Sequence, residues 1–445
     1  MSATRVTVLG AGLAGCEAAW QCAKRGIPVR LVEMKPHKLT PAHHETGFAE
    51  LCCSNSLRSD ALSNAVGLLK EEMRRLDSLI LEAADATRVP AGSALAVDRT
   101  LFSKYITDRI RNHPLIEVEE REATEIPETG VCVVATGPLS SAPMADAIAG
   151  LTGQNGLYFY DAVAPIVDFS SINMDVAFFA SRYDKGDADY INCPMTKEQY
   201  DAFYNALITA KEAQLHEFDQ GGSTGSPKVF EGCMPVEVMA RRGYDTLRYG
   251  PLKPVGLVDA RTGKESFAVV QLRKENKEGT MYNLVGFQTH LTFPEQKRVF
   301  SLIPGLENAE FLRFGVMHRN TYLHSPGFLG DRYATLGRPT LFFAGQMTGV
   351  EGYIESAGSG LVAGINAARA YREMPTLAFP RHTMLGAMAS YVANGGIGDF
   401  VPMNANFGLV ERLEKKVRGG KAARNEALSA RALEALDSVI DQAKI

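Results

Sequence analysis

A glycine-rich turn near the N-terminus constrains this chain more than any other feature. The turn follows an apolar strand-like segment, residues 6–9, and consists of Gly10, Ala11, Gly12, Leu13, Ala14 and Gly15. A helical stretch over residues 16–25 comes next, and Gly26 is suited to end it. Glycines at this spacing permit a tight turn, close approach of a pyrophosphate and close helix packing. The segment therefore predicts a dinucleotide-binding unit.

Glu33 closes the second predicted strand, residues 28–32. An acid at this distance from the turn accepts hydrogen bonds from an adenosine ribose, and its charge would repel a 2′-phosphate. The alternative is an acid that merely ends a strand at the surface, but the strand pattern before Glu33 favours the ribose role. The unit is therefore expected to take FAD or NAD rather than NADP.

Two later segments repeat the pattern of an apolar strand running into a glycine. They lie at 131–137 and 341–345, and the second continues through a glycine-rich stretch into a helix predicted from about residue 359 to 372. We expect further cofactor contacts at Thr136, Gly137, Gly345, Gly352, Ser359 and Gly360. No second strand-GxGxxG-helix unit is evident, and a contact about 300 residues downstream suits a long ligand. FAD is therefore favoured over NAD.

The spacing of these segments predicts the domain organisation. Residues between the second and third segments lack a βαβ rhythm and contain strand-like pieces at 267–272 and 281–287. We predict an α/β protein with a Rossmann-like FAD-binding domain, formed by residues 1–150 and 331–445, the latter carrying C-terminal helices. An α+β domain of residues 151–330, on the substrate side, is predicted to be inserted into it.

Composition excludes several classes of protein. The longest apolar runs fall short of about 18 residues and no cleavable signal is visible, so a cytoplasmic protein without membrane association is expected. Seven scattered cysteines without a CxxC pair argue against both a disulfide framework and a metal site. A net charge of −4 argues against a general nucleic-acid coat but not against a local basic surface.

Two cysteines stand in sequence surroundings that are unlike a core. Cys53 is followed by Ser54, Asn55 and Ser56, whereas its neighbour Cys52 is the better candidate for burial. Cys233 precedes several cationic residues, and cations nearby raise the thiolate fraction of a thiol. Most cysteines are small core residues, and Cys16, Cys22 and Cys132 are assigned to packing on that ground.

The C-terminal part contains a basic cluster between residues 412 and 424. On composition alone a solvated charged face is the favoured interpretation, and a phosphate-contacting patch is the alternative. His43 lies in a loop where a planar side chain could stack on a ring, although a lone loop histidine is more often simply exposed.

Taken together, these motifs resemble the TrmFO family of folate- and FAD-dependent tRNA (uracil-5-)-methyltransferases. The matching segments are GAGLAG (10–15), TPAH (40–43), CSNS (53–56), PAGSALAVDR (90–99), DADYINCPM (187–195), YGPLKPVGL (249–257), MHRNTY (317–322) and AGQMTGVEGYIESAGSGLVAGINAAR (344–369). The last segment also resembles the GidA or MnmG flavoproteins, which modify the wobble uridine and continue into a longer C-terminal region. A non-catalytic tRNA-binding flavoprotein is a third reading.

The resemblance implies transfer of a carbon unit from methylenetetrahydrofolate to C5 of the T-loop uridine in tRNA, with NAD(P)H reducing the bound FAD. It implies that Cys233 is the nucleophile that adds to uracil C6, that Cys53 is a supporting thiol near the flavin, and that His43 stacks on the folate. No obligatory protein partner is implied. The candidates for tRNA phosphate contacts are Arg241, Arg242, Lys253, Arg319, Lys415, Lys416 and Arg418.

Overall fold

A computed structural model describes residues 5–445 apart from 41, 154–156, 163, 185–186, 214–233, 260, 277, 316, 396–399 and 416. Its strands are β1 (Val6–Leu9), β2 (Val29–Glu33), β3 (Ser56–Ser59), β4 (Arg88–Val89), β5 (Ala94–Val97), β6 (Ile116–Glu120), β7 (Cys132–Val134), β8 (Leu157–Ala162), β9 (Ile166–Asp168), β10 (Phe178–Ala180), β11 (Tyr190–Met195), β12 (Val258–Asp259), β13 (Lys264–Glu265), β14 (Ala268–Lys274), β15 (Met281–Leu284), β16 (Phe311–Arg313), β17 (Met317–Tyr322) and β18 (Leu341–Phe343). Its α-helices are α1 (Leu13–Lys24), α2 (Ala65–Arg75), α3 (Leu79–Ala86), α4 (Arg99–Arg111), α5 (Ala142–Thr152), α6 (Lys197–Ile208), α7 (Val236–Arg241), α8 (Thr246–Tyr249), α9 (Phe293–Phe300), α10 (Tyr353–Tyr371), α11 (Met384–Asn394) and α12 (Gly420–Ala443).

A five-stranded parallel sheet contains the predicted dinucleotide-binding unit. Its strand order is β18-β7-β1-β2-β6, so strands from the two ends of the chain meet in one sheet. Strand β7 lies between the other two, because Cys132 pairs with Leu341 of β18 on one edge and with Thr7 of β1 on the other. All residues of β1, β7 and β18 are buried, as expected for a parallel sheet with both faces covered. The predicted α/β class is confirmed.

A second sheet belongs to the middle of the chain. Its order is β10-β11-β14-β15-β9-β16, every pairing is antiparallel, and its strands lie between residues 166 and 313. Helices α6, α7 and α9 contribute buried side chains to a separate hydrophobic core under this sheet. The strand-like pieces predicted at 267–272 and 281–287 correspond to β14 and β15. Domain limits at residues 150 and 330 stay a prediction.

Helices α1 and α10 cross at very short range. A Cβ on Gly360 would lie 2.2 Å from the carbonyl oxygen of Ala14, and one on Gly364 would lie 2.6 Å from that of Ala18. Only glycine allows the two backbones to approach this closely. The crossing brings the N-termini of both helices to the same edge of the parallel sheet. In the described part of the chain, no helix is both long and apolar enough to cross a membrane.

The start of the last cofactor helix was predicted wrongly. We expected it to begin at about Ser359, whereas α10 begins at Tyr353. Glycines lower helix propensity, which made the stretch before Ser359 look like a loop. In the structure Gly358 instead packs against Leu385 and Leu69, so tertiary packing overrides the local preference.

Replacing Gly360 by alanine tests the helix crossing. Because the added methyl group meets backbone atoms that cannot rotate away, we expect Gly360→Ala to lower the free energy of unfolding by about 3 kcal/mol. Gly150 is the matched control: it also lies in a helix, α5, but a Cβ there meets nothing within 4 Å. Gly150→Ala should be neutral or stabilise by up to about 1 kcal/mol. Equal losses in urea unfolding would contradict the close crossing.

Candidate active site

A cavity of about 470 Å³ opens at the carboxyl ends of β1, β7 and β18. This edge of a parallel sheet is where α/β proteins bind their ligands. The N-termini of α1 and α10 form one wall, and residues of β14, β15 and the segment after β15 form the opposite wall. The cavity therefore lies between the parallel sheet and the inserted antiparallel sheet.

Most of the residues predicted to contact the cofactor line this cavity. They are Gly10, Ala11, Gly12, Leu13, Ala14, Glu33, Thr136, Gly137, Gly345 and Gly352. Gly15, Ser359 and Gly360 lie behind the wall and support it. A Cβ on Gly15 would lie 1.8 Å from the oxygen of Gly10, and the Ser359 hydroxyl accepts a hydrogen bond from the Gly345 amide at 2.7 Å.

The turn after β1 fits a bound pyrophosphate. A Cβ on Gly12 would meet no protein atom within 4 Å, and Gly12 is the N-cap of α1 without any side-chain cap. The first amides of α1 therefore face open space, with the positive end of the helix dipole behind them. Glu33 is buried beside the turn: its carboxylate accepts hydrogen bonds from the amides of Ala11 (2.6 Å) and Lys35 (3.0 Å).

Cys53 lies in the same cavity, against the first residue of α10. The Tyr353 oxygen accepts hydrogen bonds from the amides of Cys53 (2.7 Å) and Ser54 (3.3 Å), and it lies 2.8 Å from the Cys53 sulfur. Burial raises the pKa of Tyr353, so its hydroxyl stays protonated. Since its oxygen already accepts two amide hydrogens, the hydroxyl hydrogen is available to the sulfur. Sequence reasoning missed Tyr353 because it placed the start of α10 too late.

The segment that carries Cys53 is also tied to the inserted sheet. Arg273 of β14 donates to the Ser54 hydroxyl (2.7 Å) and to the Asn55 side-chain oxygen (3.0 Å). The Asn55 amide in turn donates to the Lys274 carbonyl at 2.9 Å. Arg273 and Asn55 are buried, so these polar groups satisfy one another. Contacts from two distant parts of the chain therefore hold one short segment.

Two further arginines surround this segment. Arg99, the first residue of α4, donates to the carbonyls of Leu51 (2.8 Å) and Cys52 (3.1 Å) and forms an ion pair with Glu275. Arg313 of β16 also donates to the Cys52 carbonyl. Arg99 and Glu275 are nearly fully buried. Arg99, partly neutralised by Glu275, and Arg313 therefore hold the backbone of Cys52 from behind the cavity wall.

The other described cysteines are poorly suited to nucleophilic chemistry. Cys16, Cys22, Cys132 and Cys193 are fully buried, and burial raises the pKa of the last three to about 12. Cys52 borders the cavity, yet burial raises the pKa of its thiol to about 12 as well. Cys53 is the better candidate of the adjacent pair because the Tyr353 hydroxyl lies at its sulfur, and a hydrogen-bond donor there stabilises a thiolate.

His43 also lines the cavity, which makes the exposed-loop alternative wrong. Its Nδ1 lies 2.5 Å from the Thr40 hydroxyl. Burial, together with the charge of Lys35, lowers the pKa of His43, so the ring is neutral near pH 7. A neutral planar ring at a cavity wall is compatible with the predicted stacking.

Cys233 lies outside the described residues. The chain that follows it is described: Met234 is buried, and the Val236 amide donates to the Gln288 carbonyl at 2.7 Å. Gln288 lines the cavity. The segment directly after Cys233 is therefore attached next to the cavity wall.

The predicted tRNA-contacting residues are not in one place. Arg241 forms an ion pair with Glu212, Arg242 is exposed and Lys253 is partly exposed. Lys415 and Arg418 are exposed and line a second, open cavity of about 1030 Å³, at the start of α12. Lys416 and the side chain of Arg319 lie outside the described part. Three more cations line this second cavity, namely Arg412, Lys421 and Arg424.

Comparison with known proteins agrees with this geometry. The sequence matches the family described as glucose inhibited division protein A over residues 5–375. The fold resembles that of GidA from Aquifex aeolicus, with a TM-score of 0.69 and 17% identity, over 98% of this chain and 73% of that chain. The class is therefore a GidA-like flavoprotein with a Rossmann-like FAD-binding fold, as predicted.

Relatives that match nearly the whole chain identify one family within this class of flavoproteins. The chain is 58% identical over 432 residues to the methylenetetrahydrofolate–tRNA-(uracil-5-)-methyltransferase TrmFO of Desulfitobacterium hafniense, with 97% of each protein covered. It is 59% identical to the protein of that name from Lactobacillus acidophilus, covering 97% of this chain and 98% of the relative. The chain belongs to the TrmFO family.

Alkylation should distinguish the two adjacent cysteines. A thiol with a pKa of about 12 is thiolate in roughly one molecule in ten thousand at pH 8, because pH and pKa differ by four units. We expect iodoacetamide at pH 8 to modify Cys53 in a Cys52→Ser variant at least about tenfold faster than Cys52 in a Cys53→Ser variant. Peptide mass spectrometry measures both rates, and equal rates would refute the assignment.

Proposed function

We propose that this protein methylates C5 of the T-loop uridine in tRNA. Methylenetetrahydrofolate is the carbon donor, FAD the bound cofactor and NAD(P)H the reductant. The observation that carries the proposal is the cavity that holds Cys53 and the dinucleotide-binding turn together. Full-length similarity to proteins named for this activity supports the same substrate class.

The cavity walls support an assignment of roles around FAD. The amides at the start of α1 bind the pyrophosphate, Gly12 leaves room for it, and Glu33 is the candidate for the ribose hydroxyls. When bound, FAD would supply hydride and one-carbon transfer chemistry in this cavity. The neutral ring of His43 is suited to stack on the folate pterin.

The nucleophile we propose is Cys233. Uracil C5 is a weak nucleophile, and addition of a thiolate to C6 makes C5 an enolate carbon that attacks an electrophilic methylene. A base then removes the C5 proton as the carrier amine leaves, which gives an exocyclic methylene at C5. Addition of a hydride, whose ultimate source is NAD(P)H, to this methylene completes the methyl group and expels the cysteine thiolate from C6. Cys53, with the Tyr353 hydroxyl at its sulfur, is the supporting thiol. The uridine must leave its stack before either cysteine reaches it.

A second candidate function is wobble-uridine modification, as in the GidA or MnmG flavoproteins, which would require a partner GTPase. The first reading is favoured because full-length relatives at 56–59% identity carry the TrmFO name, whereas identity to GidA of Aquifex aeolicus is 17%. A non-catalytic tRNA-binding flavoprotein is the third reading. The identity of the nucleoside product separates all three.

The direct test incubates the purified yellow protein with unmodified tRNA, methylenetetrahydrofolate and NADPH or NADH, followed by nucleoside analysis. We expect 5-methyluridine from the wild type and from Cys52→Ala. The Cys233→Ala variant should lose activity by more than about a thousandfold, because no other group forms the bond to C6. A flavin-bound protein that makes no 5-methyluridine would refute the proposal, and normal turnover by Cys233→Ala would refute the nucleophile.

The basic cluster at the start of α12 gives a separate prediction. Replacing Lys415, Lys416 and Arg418 with alanine should weaken tRNA binding. It should also reduce the magnitude of the slope of log affinity against log salt by about two to three, because binding releases fewer counterions when fewer phosphates are contacted. The control replaces Lys38, Lys104 and Arg121, which form ion pairs on the dinucleotide-binding domain. Unchanged binding of the first variant at several salt concentrations would exclude this patch.

A further inference from the structure

A buried carboxamide on the inserted sheet faces the cavity. Successive side chains of a strand point to opposite faces of its sheet. Tyr282 and Leu284 of β15 point into the hydrophobic core under the inserted sheet, so Asn283, which lies between them, points to the other face. Asn283 is only 3% exposed, yet it lines the cavity. Its side chain is therefore shielded from bulk water but adjacent to the space in which ligands bind.

The side-chain amide nitrogen of Asn283 has no hydrogen-bond partner among the residues that the structure describes. Its neighbours on the adjacent strands are Arg273 of β14 and Ile166 of β9. A guanidinium carries only donors and an isoleucine side chain carries no polar atom, so neither can accept a hydrogen from Asn283. A buried N–H without a partner destabilises a folded protein, and few native groups are left in this state. The missing acceptor is therefore expected from a molecule that enters the cavity.

The position of Asn283 favours a substrate over FAD as the source of this acceptor. The first amides of α1, which are proposed to bind the pyrophosphate, belong to the wall opposite β15. A substrate ring that lies between the flavin and the inserted sheet would face Asn283. A carboxamide presents one donor and one acceptor side by side, which matches a ring edge with a C=O next to an N–H. Uracil and the pterin of methylenetetrahydrofolate both have such an edge.

We propose that Asn283 is a specificity-determining residue that binds this C=O and N–H edge of a substrate ring. Its amide nitrogen donates to the ring carbonyl, and its side-chain oxygen accepts from the ring N–H. That the ring belongs to a tRNA uracil or to the folate rests on the proposed function. A site built to hydrogen-bond a polar edge discriminates against rings that lack it, because its buried polar groups then stay unpaired.

The test uses the full-length, FAD-loaded Asn283→Leu variant, in which a side chain of similar volume carries no hydrogen-bonding group. KM for tRNA or for methylenetetrahydrofolate should rise about tenfold, and the substrate whose KM rises more identifies the ring. The dissociation constant of FAD should change less than about threefold. Because the variant removes an unpaired donor, the urea midpoint of the substrate-free protein should be equal or higher. An amide with a merely structural role would instead give a lower midpoint.

The matched control is Asn192→Leu. Asn192 is buried in the same sheet, but its amide nitrogen donates to three backbone carbonyls at 3.0–3.3 Å and its side-chain oxygen accepts from Gln271 at 3.0 Å. This change should lower the urea midpoint, because it leaves these partners unpaired, and it should leave both KM values within about threefold of the wild type.

Unchanged KM values for folded, yellow Asn283→Leu protein, or an effect confined to FAD, would overturn the proposal. If that variant does not fold, Asn283→Ala decides by the same criteria, because it removes the same amide with a smaller side chain. A wild type that makes no 5-methyluridine would instead defeat the proposed function. The dissociation constants of tetrahydrofolate and of unmodified tRNA would then test Asn283 in place of the KM values.

Discussion

The close crossing of α1 and α10 is the contact on which the rest of the structure depends. The two helices belong to opposite ends of the chain, and backbone lies directly on backbone at Gly360 and Gly364. This closeness lets the helix that begins at Tyr353 share a cavity with the turn at Gly10. The parallel sheet makes the same connection, because β18 pairs with β7 next to β1. A side chain at either glycine would separate the two halves of the cofactor site.

The Cys53 segment is the second point where distant parts of the chain meet. It receives Tyr353 from the dinucleotide-binding side, and Arg273 and Arg313 from the inserted sheet. The reactive surface is therefore shared between the two sheets, and its geometry depends on their relative placement. The position of the Cys53 segment thus depends on contacts with charged side chains rather than on local backbone preference. In the inserted domain, the ring of His290 lies between the carboxylates of Glu212 and Glu237.

Much of the fold could be predicted because the signals are local. The spacing of Gly10, Gly12 and Gly15 after an apolar strand defines backbone conformations within a few residues, and the structure has that turn. Other features could not be predicted in this way. The start of α10 was predicted too late because the low helix propensity of glycine is a local signal, whereas the packing that stabilises this part of the helix comes from neighbouring helices. Arg241 was considered as a phosphate contact, yet it pairs with Glu212, which depends on how α7 packs.

The sequence by itself determined the class of this protein: an α/β dinucleotide-binding unit, an inserted domain and membership of a flavoprotein family. These follow from short-range periodicity and from motifs that each need only their own neighbours. Tertiary structure alone decided which groups meet. Cys53 and Tyr353 are 300 residues apart, and they meet at the end of α10, the helix whose Gly360 and Gly364 lie directly against the backbone of α1. Cys52 and Cys53 are neighbours in sequence, but only the structure shows that the Tyr353 hydroxyl lies at the sulfur of Cys53.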